Sequence, residues 1–176
     1  MSAHERAEVV VDDDVLHELR EHERWHGPRM IRTIERHHPE HRPGIPVALF
    51  DAYAERLGYD VEASEADVLA KAVDETEWVG EDVYYRVGDD SENLSAYPPS
   101  WHARYAERNS IADLVREMGT QLGRAWVGRR ELTLALESVA GVDPRTATAM
   151  VLDAGQRGEI AVQPRQNPES LVFLKG

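Results

Sequence analysis

The chain contains no cysteine. That excludes disulfides, thiolate metal sites and cysteine nucleophiles, and leaves the cytoplasm as the expected location. Lysine is nearly absent, with only Lys71 and Lys175 among 20 basic residues. No apolar run approaches the length of a bilayer span, so no membrane partner is expected. The opening stretch MSAHERAEVVVDDD carries charges where a secretory signal needs continuous apolar residues. A Gly-rich phosphate loop, a GxSxG elbow and a paired-carboxylate motif are also missing. Neither an enzymatic activity nor a cofactor is expected on these grounds.

Acid is what the chain has in excess. Its 176 residues carry a formal net charge of -13. Carboxylates in such number, with arginine in place of lysine, resemble the surfaces of proteins from salt-loving archaea. A GC-rich genome would also favour arginine, but it does not explain the acid. The excess is uneven: residues 1–123 hold 13 basic and 27 acidic side chains, residues 124–176 hold 7 and 6. A near-neutral final third suits a surface that meets a polyanion, or an interface with another protein. Length and a hydrophobic content of 41% allow one ordinary domain or two small ones.

Hydrophobic periodicity predicts a mainly α chain with small β-hairpins, an α+β class. Asp12 to Asp14 cap a helix that is expected to reach Trp25 or His26. A second helix starts at Pro28 and stops before Pro39, and a third runs from Pro46 to the stop at Gly58. Ser64 with Asp67 predicts the start of a fourth. TEWV and DVYYRV then flank Gly80-Glu81 as a hairpin. Residues 90–100, acidic and closed by two prolines, predict a linker between domains at 1–89 and 101–176. Ser100 is expected to cap a short helix through Trp101 and Tyr105.

From Ser110 the signals sharpen. Ser110 and Asp113 form a near capping box ahead of the stripe Ile111, Leu114, Val115, Met118 and Leu122. Trp126-Val127 allows only a stub strand. A helix follows from Arg129 to Val139, and Asp143-Pro144 opens another that Gly155 and Gly158 close. EIAV and SLVFL make a final hairpin. This order, helix 110–122, strand 126–127, helix 129–139, helix 143–156 and hairpin 159–174, resembles the winged helix-turn-helix superfamily. The resemblance implies that helix 143–156 is a recognition helix and that 163–169 is the wing. Residues 46–87 repeat part of the order, so a degenerate tandem winged helix in the N-terminal half is a second expectation. Its presenting helix, with Glu65, Asp67, Asp74 and Glu75, would repel phosphate.

On that resemblance the DNA-contact candidates are Arg129, Arg130, Arg145, Thr146, Thr148, Gln163, Arg165 and Gln166. Arginine can grip a guanine edge or a phosphate, and threonine can bond a phosphate. Leu134 and Leu152 are expected on outward faces, where leucine suits protein contact or dimerisation. Six histidines fall between 17 and 41, and His22 and His26 stand four apart on a predicted helix, a spacing that can chelate a metal. No HExxH pattern accompanies them, and histidines beside prolines are usually solvated, so metal is not expected. The expected function is a cytoplasmic, DNA-binding transcriptional regulator, dimeric. The alternative is a non-enzymatic adaptor that binds protein within a DNA- or RNA-handling complex.

Overall fold

The computed structural model describes residues 10–21, 27–81, 83–88, 92–164 and 169–175. They form a mixed α and β chain of eight α-helices and two small sheets. Helices α1 (Asp13–Arg20) and α2 (Gly27–His37) come first, and a 3-10 turn over Pro39–His41 leads to β1 (Ile45–Pro46). Next are α3 (Val47–Arg56), α4 (Val61–Ala70), β2 (Ala72–Val73), β3 (Tyr84–Val87) and β4 (Asn93–Ser95). Helix α5 (Pro99–Arg108) links these to α6 (Ile111–Leu122), β5 (Val127–Gly128), α7 (Arg129–Val139), α8 (Pro144–Gln156), β6 (Ile160–Gln163) and β7 (Leu171–Leu174).

Local chemistry sets the ends of these helices. The carboxylate of Asp12 accepts from the Asp14 amide, and the Ser110 hydroxyl accepts from the Asp113 amide at the start of α6. Asp143 accepts from the Thr146 amide at the start of α8. Each such cap stabilises by about 1 kcal/mol. Three boundaries differ from the sequence expectation. Helix α1 closes at Glu21, although the remaining residues of that expected helix, 22–26, lie outside the described ones. Helix α4 starts three residues before Ser64, because Asp60 reaches the Ala63 amide and takes the capping role. Helix α5 is flanked by Pro98 and begins at Pro99, and Ser100 lies inside it.

The two halves share one topology. Elements α2-β1-α3-α4-β3-β4 and α6-β5-α7-α8-β6-β7 occur in the same order. Their sheets run β1-β4-β3 and β5-β7-β6, with antiparallel pairing throughout those strands. The first half differs by an insertion. After α4 the chain lays β2 parallel to β3, beyond the edge that β6 leaves open in the second half. The expected TEWV–DVYYRV hairpin is therefore replaced by a β3–β4 hairpin, and residues 76–79 form no strand. Trp78 explains the difference. Its ring stacks on Trp101 at 5.0 Å with 9° between planes, and its amide donates to Gln121 Oε1.

Two apolar clusters lie inside. One gathers Leu16, Ile31, Ile34, Leu49, Phe50, Tyr53 and Leu94; the other gathers Trp101, Leu114, Val127, Leu136, Val151, Ile160 and Val172. The clusters divide between Leu94 and Ala96. Residues 93–101, read from composition as linker and helix start, thus hold strand β4 and the buried Ala96, Tyr97 and Trp101. Across the division α2 packs on α7. There Arg36 donates to Glu137 Oε1 at 2.7 Å, both side chains nearly excluded from water, and also pairs with Glu18. A buried ion pair of this kind orients its helices even where its net contribution is small. Among the described residues no helix is long and apolar enough to cross a membrane.

Candidate nucleic-acid interface

Helix α8 presents one face to the protein and one to solvent. Ala147, Val151 and Ala154 are buried, whereas Arg145, Thr146, Ala149, Leu152, Asp153 and Gln156 are exposed. That split follows from the 3.6-residue period and from Asp143-Pro144, which fix where the first turn begins. Arg145 makes no ion pair among the described residues. The Asp143 carboxylate beside it is held below the ordinary aspartate range by the Thr146 amide. Among the described residues, an anion approaching this end of α8 therefore meets a guanidinium without an ion pair beside a carboxylate.

Strand β6 runs next to α8, and Gln163 at its end is exposed. Arg165 and Gln166 lie outside the described residues, as do His22 and His26. Thr148 is half-buried on the flank of α8. At the start of α7, Arg129 is half-buried and its amide donates to the Ser170 carbonyl. Arg130 reaches Glu169 at 2.9 Å, so its charge is already engaged at the base of the β6–β7 turn. Arg124, which sequence reasoning passed over, pairs with Glu131 through two bonds of 3.0 and 2.6 Å and lies over the Trp126 ring.

The two leucines separate. Leu134, expected on the outside of α7, is half-buried and packs against the second core cluster, because α7 also faces α2 and Tyr97. Leu152 remains exposed at 36%, above a groove of about 530 Å3 between α8 and β6. The corresponding helix of the first half, α4, exposes Glu62 and carries Glu65 and Asp67 half-buried. Asp74 and Glu75, expected on that helix, fall beyond its end at Ala70.

A buried polar cluster at the seam between the halves was invisible in the sequence, since its members come from distant segments. Ser95 Oγ lies 2.8 Å from His102 Nε2 and donates to the carboxyl of Glu35, which also accepts from the Gly44 amide. Burial pushes Glu35 up to about 8 and His102 down to about 3. The trio is not a charge relay. A relay uses both imidazole nitrogens to join acid and hydroxyl, whereas here Nε2 faces both Ser95 and Glu35, and the hydroxyl bonds the acid directly. Ser95 is also fully buried. Tyr53 and Glu40 engage His38 in the same structural fashion. Among the described residues no group of three His, Asp or Glu side chains could hold a metal ion.

No protein-family model, no curated protein and no solved structure matches the chain. The site is therefore read from its own geometry.

Proposed function

We propose that the chain is a tandem winged-helix protein that regulates transcription, binding DNA through its C-terminal half. Helix α8 is the element that enters the groove. Arg145 reaches a base edge or phosphate, Thr146 supports it, and Gln163 at the end of β6 lies on the exposed surface of the same half. The observation that carries the reading is the exposed outer face of α8, anchored on one side by Ala147, Val151 and Ala154 and headed by an arginine free of any ion pair among the described residues. The near-neutral charge of residues 124–176, against the strongly acidic remainder, supports the same half as the DNA-facing one. The acidic α4 keeps the first half away from phosphate and suits a role in positioning the second.

Fluorescence anisotropy with labelled duplex DNA in roughly molar potassium chloride tests the reading. At such salt counterion release contributes little, so affinity rests on hydrogen bonds and shape. Arg145→Ala is expected to weaken binding by about 1–3 kcal/mol, and Lys71→Ala, at the end of α4, to leave it unchanged. An Arg145→Ala protein that binds like the parent overturns the assignment. No binding by the parent protein hands α8 to a protein partner instead, for which the exposed Leu152 supplies an apolar contact.

A further inference from the structure

A cleft of about 720 Å3 opens where the two halves meet. Its walls come from both: Arg42 and Val87 from the first half, His102 and Tyr105 from α5, Val139 and Met150 from the second. The volume is that of a small-molecule site, and the lining is mostly apolar. Arg42 is the one charged side chain in that lining and makes no ion pair among the described residues. Its guanidinium lies against Gly141, in the turn between α7 and α8. A Cβ built on Gly141 would stand 2.7 Å from Arg42 Cζ, and the φ of +65° there also favours glycine. The arginine thus reaches across the seam, from the first half to the α7–α8 turn of the second.

We infer that this cleft binds a small amphipathic carboxylate, its hydrocarbon or aromatic body between Val87, Tyr105, Val139 and Met150 and its carboxylate on Arg42. Charge complementarity selects the anion. Arg42 is the only arginine, lysine or acid among the lining residues, so it sets the sign of the cleft, and burial holds His102 in the wall and Glu35 next to it towards their neutral forms. A carboxylate also matches the planar, bidentate donor pair of a guanidinium. Because Met150 belongs to α8 and Arg42 to the first half, an occupant touches both halves at once.

Isothermal titration calorimetry of the full chain with 2-naphthoate, 4-phenylbutyrate and decanoate tests this without DNA, so the result stands apart from the role given to α8. At least one acid should bind saturably at one site, about tenfold or more tighter than its neutral primary amide. Arg42→Gln should bring the acid down to the affinity of the amide. Ala106→Trp, which fills the cleft from α5 and keeps the arginine, should remove binding of both. The inference is overturned by a parent protein that binds none of the three acids at low millimolar concentration, by an amide that binds as well as its acid, or by unchanged acid binding in either folded variant.

Discussion

Glu35 and His102 sit in one buried cluster, yet burial moves their ionisation in opposite directions, and stability should record both. Folded, Glu35 keeps its proton up to about pH 8, whereas unfolded it releases it near 4.5. The folded chain holds the extra proton across that window, so this contribution to stability is lost as pH rises through it. His102 stays neutral down to about pH 3 in the fold but takes a proton near 6.5 when unfolded. Its contribution is lost as pH falls through that window. The two slopes oppose each other between 4.5 and 6.5. Glu35→Gln keeps an acceptor for the Gly44 amide and removes the acid. The stability of the parent relative to this variant, from urea unfolding, should be flat below pH 4.5 and then fall by up to about 1.4 kcal/mol per pH unit towards 8. A difference that stays constant from pH 4 to 9 would mean that Glu35 is charged in the fold.

At the scale of elements the insertion between α4 and β3 marks the main departure of one half from the other. Residues 72–81 add β2 to the sheet and carry Trp78 into the stack of Tyr85, Trp101 and Tyr97. Trp78→Ala should destabilise the protein by about 3 kcal/mol in chemical denaturation, the low end for aromatic truncations because the ring is only half-buried. A loss below about 0.5 kcal/mol would show that the insertion does not hold the halves together.

The same segment shows what the sequence could and could not disclose. Helices α6 to α8 were legible because Ser110, Asp143-Pro144 and the apolar stripes are local signals that agree with one another. Leu152 was placed correctly on the open face of α8 by period alone. The β3–β4 hairpin was missed because TEWV reads as a strand until Trp78 finds a partner in α5, far along the chain. Leu134 was put outside because the packing of α2 on α7 has no local trace. The seam cluster of Glu35, Ser95 and His102, and the cleft beside Arg42, exist only through such distant contacts.

For the whole molecule, two halves of like topology carry unlike charge. The first is acidic and its presenting helix is acidic too; the second is close to neutral and its presenting helix begins with a free arginine among the described residues. The Arg36–Glu137 pair, the Trp78 stack and the Arg42–Gly141 contact cross between them, so the halves should move together. The lack of cysteine makes this testable directly, since one introduced thiol is a unique attachment point. The decisive measurement is photo-crosslinking to duplex DNA from a probe on Ala149→Cys in α8 compared with Ala63→Cys in α4, both exposed positions. The account predicts DNA adducts from the α8 probe and essentially none from the α4 probe. Adducts from α4 alone, or equal yields from both, would contradict it.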